Sequence, residues 1–98
     1  MTIKTTVEFN EWLSGLSEHL RALLRDRLDR IRESGHFGDA KNLGQGLFEL
    51  RWKNGLRAYF PYMRSEDGRL VLMLFGGDKN GQNHDIRKAR TLLAREAA

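Results

Sequence analysis

Across residues 47–63 the chain alternates apolar and polar residues on both sides of a single Asn54-Gly55 step. Few patterns constrain a fold more. A period of two requires a strand with one covered face. Asn-Gly between two such runs requires an antiparallel hairpin, because both turn positions call for positive φ. In the first run Phe48, Leu50 and Trp52 fall on one face, with Glu49, Arg51 and Lys53 on the other. In the second, Arg57 and Tyr59 share a face opposite Ala58, Phe60 and Tyr62. Pro61 has no N–H to give a ladder, which places the late part of this run at an edge or a bulge. A further turn is expected over residues 65–69. Residues 70–75 are apolar on both faces, as in a central strand covered by helices.

A hairpin with an apolar face needs a cover, and the front of the chain supplies one. Residues 3–6 suit a short opening strand. Thr5 and Glu8 match a capping box, and Phe9, Trp12, Leu13 and Leu16 then recur at helical spacing. Ser14-Gly15 and Ser17 separate this helix from a second, in which Leu20, Leu24, Leu28 and Ile31 form one stripe widened by Leu23. Arg21, Arg25, Arg27, Arg30 and Arg32 lie off that stripe, interleaved with Asp26, Asp29 and Glu33. Gly35 is a natural helix stop, and residues 36–42 read as a loop. Ile86, Ala89, Leu92 and Leu93 predict a closing helix. The expected order is β-α-α-β-β-β-α, an α+β fold with two N-terminal helices packed on a small sheet and a C-terminal helix. At 98 residues the whole chain is expected to form one domain.

The charged residues narrow the chemistry. There are 17 Lys and Arg against 13 Asp and Glu, a net charge of +4, which favours an acidic partner. Nucleic acid and an acidic protein segment both meet that description. The absence of cysteine excludes disulfides and thiolate metal sites. His19 and His36 are too far apart to suggest a metal, so no metal or other cofactor is expected. No leader and no apolar run near ~20 residues is found, so the expectation is a soluble cytoplasmic protein without membrane contact.

Arg51, Lys53, Arg57 and Lys79 are expected on neighbouring strand ends of one sheet. Metal-free RNA cleavage needs a base for the 2′-hydroxyl, cations for the charge on the phosphoryl oxygens, and an acid for the leaving oxygen. Arginine suits the middle task because its fork of donors matches phosphate. Alternation leaves two readings open, an anion-binding surface and an ordinary solvated face.

The ordered set Glu49-Leu50-Arg51, Gly55-Leu56-Arg57-Ala58-Tyr59-Phe60 and Gly76-Gly77-Asp78-Lys79, with Gln82 and Asp85-Ile86, resembles the RelE/ParE toxin superfamily. Within it the chain is most similar to the HigB-like, phage Gp49-related addiction module killer proteins. The likeness extends to residues 9–13 and to Gly38-Asp39-Ala40-Lys41, so it runs nearly the whole length. It implies a small antiparallel sheet packed by two N-terminal helices, with a C-terminal helix, and a toxin of a type II toxin–antitoxin module that cleaves mRNA on the ribosome by metal-independent 2′-hydroxyl attack. It also implies a HigA-like antitoxin with a helix-turn-helix, and contact with operator DNA only through the toxin–antitoxin complex. The alternative is a ParE-like inhibitor of DNA gyrase without nuclease activity. By motif, Arg51, Arg57 and Lys79 correspond to the catalytic cations, Arg57 being the phosphate clamp. Arg57→Ala should then abolish toxicity and leave the fold intact. Two departures stand out: Glu49 occupies a position that some members fill with a basic residue, and no C-terminal tyrosine is present.

Other residues carry paired readings. Lys53 is an additional RNA-binding cation by alternation. Tyr59 either stacks a base or packs in the core. His84 is either a proton-transfer and RNA-contacting group or an exposed residue of the last helix's first turn, the second being favoured. Glu49 acts as a base or pairs with Arg51 or Arg57, and pairing is the stronger reading. Asp78 and Asp85 suit the start of the last helix, whose dipole favours carboxylates.

Overall fold

The Asn54-Gly55 hairpin forms the middle of a six-stranded sheet in the computed structural model, which describes residues 1–65 and 68–97. The elements are β1 (Thr2–Thr5), α1 (Val7–Ser14), α2 (Glu18–Ser34), β2 (Ala40–Gly44), β3 (Leu47–Arg51), β4 (Leu56–Ser65), β5 (Gly68–Met73) and β6 (Phe75–Asp78). A 3-10 turn (Lys79–Gly81) leads into α3 (Gln82–Ala97). The strands run β1-β5-β4-β3-β2, and β6 pairs with the first half of β4. This is the expected α+β architecture, with two refinements. β1 pairs parallel with β5, so the sheet is mixed and not wholly antiparallel as the resemblance implies. Residues 40–44, read as part of a loop and its sequel, form the edge strand β2 against β3. The turn expected over residues 65–69 falls partly outside the described residues, at Glu66 and Asp67.

Local chemistry sets the boundaries. The cap of α1 is Thr6, not Thr5. Its hydroxyl accepts from Phe9 N at 3.0 Å and donates to the Leu74 carbonyl at 2.7 Å, tying the helix start to the sheet. Ser17 caps α2 by accepting from Leu20 N. Gly35 closes α2 in the left-handed conformation, at φ 74°. The β3–β4 connection is wider than the two residues expected: Trp52 to Gly55 form it, and the last cross-strand pair is Arg51 with Arg57. Gly55, at φ 99°, supplies the left-handed residue, and Asn54 Oδ1 accepts from Leu56 N at 3.0 Å. Pro61 lies at a bulge. Tyr59 pairs with Phe75 and Tyr62 with Val71, so residues 60–61 of β4 face residues 72–74 across the break between β5 and β6.

Both faces of the sheet are covered. Phe9, Leu24, Leu28 and Ile31 of α1 and α2 pack on Leu50, Ala58, Phe60, Val71 and Met73. On the opposite face Ala89 and Leu92 of α3 pack on Leu47, Tyr59 and Leu74. Both readings of the hairpin's polar face, anion-binding or solvated, expected it open, and this second layer covers much of it. Glu49 and Tyr59 are fully buried beneath α3, while the turn residues Lys53 and Asn54 are exposed. The two adjacent glycines of β6 serve packing within the chain itself. A Cβ at Gly76 would sit 2.2 Å from the Trp12 ring, and one at Gly77 would collide with the Asp85 carboxylate. Among the described residues no helix is long and apolar enough to cross a membrane.

Candidate functional site

Register decides which side chains meet. Arg51 lies opposite Arg57, and Glu49 opposite Tyr59, across the β3–β4 ladder. On the other side of β4, Arg57 pairs with Gly77 and Tyr59 with Phe75. Residues two apart on a strand share a face, so Glu49, Arg51, Arg57 and Tyr59 form one cluster at the sheet end nearest the start of α3. Two guanidinium groups directly opposite each other repel. Glu49 offsets this, its Oε1 lying 3.4 Å from Arg51 Nε and 3.9 Å from Arg57 Nε. Gln82, the first residue of α3, donates to Glu49 Oε2 at 2.6 Å and fixes the carboxylate from above. The pairing reading of Glu49 is the one observed.

Among the described residues, Glu49 Oε1, Arg57 Nε and Tyr59 Oη are the buried side-chain polar atoms without a hydrogen bond. Folded proteins leave few such atoms, each at a cost of about 1–3 kcal/mol. Their coincidence in one cluster, beside Arg51 and the turn that carries Lys53, marks this end of the sheet as more than a packing solution. Burial first, and then the charges of Glu49 and Asp85, push the Tyr59 phenol above its ordinary range. Tyr59 therefore stays a neutral phenol. With no exposed surface it offers no platform to a base, and the stacking role is corrected to core packing.

The cations divide by exposure. Arg57 is buried, and its Nη1 donates to the carbonyls of Trp52 at 3.2 Å and Leu56 at 2.9 Å. It braces the turn, which corrects the picture of a freely accessible clamp. The Arg51 side chain keeps 36% of its surface open. Lys53 is exposed, but β3 ends at Arg51, so Lys53 belongs to the turn and not to the shared face expected from alternation. Lys79 is exposed in the 3-10 turn. Its N–H donates to Gly55 O at 2.9 Å and its aliphatic stem runs beside that glycine, placing it against the hairpin turn that carries Lys53. His84 is exposed, with Nδ1 3.3 Å from Asp85 Oδ1, and the Asp85 carboxylate lies over Gly77, the neighbour of Arg57. Asp78 caps the 3-10 turn, accepting from Asn80 N and Gly81 N. Among the described residues no group of His, Asp and Glu converges as a metal site.

Two contributors escape a sequence reading. Gln82 reaches Glu49 only because α3 crosses β3, and nothing in its neighbours signals that. Arg27 falls off the apolar stripe of α2, where a solvated role is expected. Instead it donates to the carbonyls of Phe37 (3.0 Å), Arg51 (2.8 Å) and Asp39 (2.9 Å) and lies 4.8 Å from the Trp52 ring centroid. Burial lowers its pKa, with Asp39 opposing that shift; arginine remains a cation under such a perturbation.

No model of a known protein family matches the sequence. A Haemophilus influenzae protein described as uncharacterized is 43% identical over 95 residues, covering 96% of this chain and 93% of that one. Among solved structures, a chain of the RelB-RelE antitoxin–toxin complex from Methanococcus jannaschii superposes with a TM-score of 0.64 at 12% identity, over 83% of this chain and 95% of that one. The isolated E. coli RelE toxin gives 0.63 at 15% identity, over 79% and 82%. The fold is that of the RelE/ParE toxins.

Proposed function

We propose, for a chain that belongs to one family with the Haemophilus influenzae protein and has the RelE/ParE toxin fold, that it is the toxin of a toxin–antitoxin module. On this reading it is a HigB-like, ribosome-dependent mRNA endonuclease, neutralised by a HigA-like antitoxin of the helix-turn-helix type. Operator DNA is then reached only through that complex. The observation that carries the reading is the gathering of half-open Arg51 with exposed Lys53 and Lys79 at one end of the hairpin.

The chemistry asks little more of the protein. The 2′-oxygen forms a bond to the adjacent phosphorus, the bond from phosphorus to the 5′-oxygen breaks, and a 2′,3′-cyclic phosphate and a 5′-hydroxyl result. Charge builds on the non-bridging oxygens, where preorganised cations act most strongly. Arg51 is the gripping group, aimed by Glu49, which Gln82 and Arg57 hold in turn. Lys53 and Lys79 hold the flanking backbone. His84, exposed beside Asp85 at this end, is a further RNA contact.

The test is induction in a bacterial host with mapping of message 5′ ends. Translation should stop and messages should break to leave 5′-hydroxyl ends. Arg51→Ala, or co-expression of the adjacent gene, should restore growth. Arrest with a DNA-damage response and intact messages would overturn the nuclease and favour the gyrase-binding reading instead.

A further inference from the structure

Beside Arg51, between α2 and the β3–β4 turn, lies an open cleft of about 400 Å³ whose walls include Leu23, Arg27, Asp39, Arg51, Trp52 and Lys53. That volume falls within the ~300–1,000 Å³ of small-ligand sites. The cleft's lining pairs an indole with a guanidinium, both planar groups on which a base can stack. Arg27 lies over the Trp52 ring, and three backbone carbonyls fix its plane. Gly38, at φ 73°, packs so close that an added Cβ would lie 3.2 Å from Arg27 Nη2. The wall is therefore set before any ligand arrives, which lowers the ordering cost of binding. At the mouth stand the two cations Arg51 and Lys53. The Asp39 carboxylate enters no hydrogen bond or ion pair among the described residues, although its backbone carbonyl accepts from both Arg27 and Arg51.

An aromatic wall, adjacent cations and one uncommitted acceptor match a nucleotide, which offers a π-face, a phosphate and a polar base edge. We propose that this cleft holds the base of the nucleotide next to the phosphate gripped by Arg51, and that Asp39 selects bases bearing an exocyclic amino group over uracil. The proposal rests on the RNA-cleaving reading of the site. Adenine, cytosine and guanine each present an amino donor to a carboxylate. Uracil has no amino group: it offers a carboxylate only its N3–H, flanked by two exocyclic oxygens that the carboxylate repels.

The full chain, labelled with ¹⁵N, is titrated with the 5′-monophosphates of adenosine, cytidine, guanosine and uridine. The two indole N–H signals, of Trp12 and Trp52, are followed. Trp52 should shift and Trp12 should not. Uridine monophosphate should bind at least about threefold more weakly than the other three, as loss of a base-edge hydrogen bond implies. Asp39→Asn, which adds a donor, should shrink that gap below about twofold. Trp52→Leu should weaken all four by about tenfold. Because Trp52 also carries the Arg27 contact, Asp39→Asn remains decisive if Trp52→Leu fails to fold. A silent Trp52, or equal affinity of the wild type for the four nucleotides, overturns the proposal. If messages are cut while Trp52 stays silent, the base site fails and the nuclease stands. If Trp52 responds and no message is cut, the nuclease fails and the base site stands.

Discussion

Arg51 and Arg57 face each other across one ladder, yet substitution should separate them cleanly. Arg57 is closed in, with 11% of its side chain exposed, and it shares the fully buried Glu49 while also holding two turn carbonyls. Arg57→Ala takes the donor from two turn carbonyls and one of two cations from Glu49, and should cost about 3 kcal/mol, so a loss of toxicity there reports partly on folding. Arg51→Ala removes a half-open group and should cost under about 1 kcal/mol while abolishing growth arrest. Urea denaturation of the two variants, alongside induction of each, checks both outcomes. A stable, non-toxic Arg57→Ala would return that residue to the role of an accessible clamp. Sequence could bring these arginines to one hairpin end but not fix their register: a two-residue Asn54-Gly55 turn would set Arg51 opposite Ala58, and the wider connection sets it opposite Arg57. Nor could sequence grade their exposure. Depth is set by what lies above the strand, here Gln82 and Asp85 from a helix more than thirty residues on in the chain from Glu49.

The same limit governs the elements. Helical spacing in Ile86, Ala89, Leu92 and Leu93 requires a partner surface, but spacing does not say which. α3 lies on the hairpin's polar side because Leu47, Tyr59 and Leu74 offer apolar area around Glu49. β2 was invisible for a simpler reason. Ala40, Lys41 and Asn42 have no apolar alternation, and their strand conformation comes from pairing with β3. The far end of α3 is tied to α1 by an ion pair that a sequence reading also misses: Arg95 Nη1 and Nη2 donate to the Glu8 carboxylate at 2.6 and 3.1 Å. Those hydrogen bonds, helped by a backbone bond within Glu8, bring its pKa from 4.5 to about 2. A carboxyl depressed on folding contributes fully above its unfolded pKa and loses that contribution as pH falls through the folded value. The tether should therefore hold above about pH 4.5 and fade between 4.5 and 2. Hydrogen exchange in the last turn of α3 should speed up over that window beyond its intrinsic pH dependence. Glu8→Gln should abolish the extra step, and an unaltered profile in that variant would show that Arg95 does not hold the helix.

For the whole molecule, covering both sheet faces has a consequence for any polyanionic partner. With α1 and α2 on one side and α3 on the other, RNA meets the cations of the site at the hairpin's turn end, where Arg51, Lys53 and Lys79 emerge. The net charge of +4 is thus less informative than its placement. Many basic residues are occupied elsewhere: Arg30 and Arg32 pair along α2, Arg90 holds the carbonyls of Leu43 and Gly44, and Arg27 braces β3. A contact through three cations predicts a shallow salt dependence. Each neutralised phosphate of a single strand contributes about −0.7 to the slope of log K against log salt. Binding of a 2′-O-methyl RNA, which cannot be cut, should therefore follow a slope of about −2. Lys53→Ala and Lys79→Ala should each lower its magnitude by about 0.7, with little effect on stability because both side chains are exposed. A broad basic surface, with the arginines of α2 also gripping RNA, would instead give a steep slope that neither lysine changes by much. A slope that is shallow but indifferent to both lysines would return them to an ordinary solvated surface and leave Arg51 as the sole cation on the phosphate.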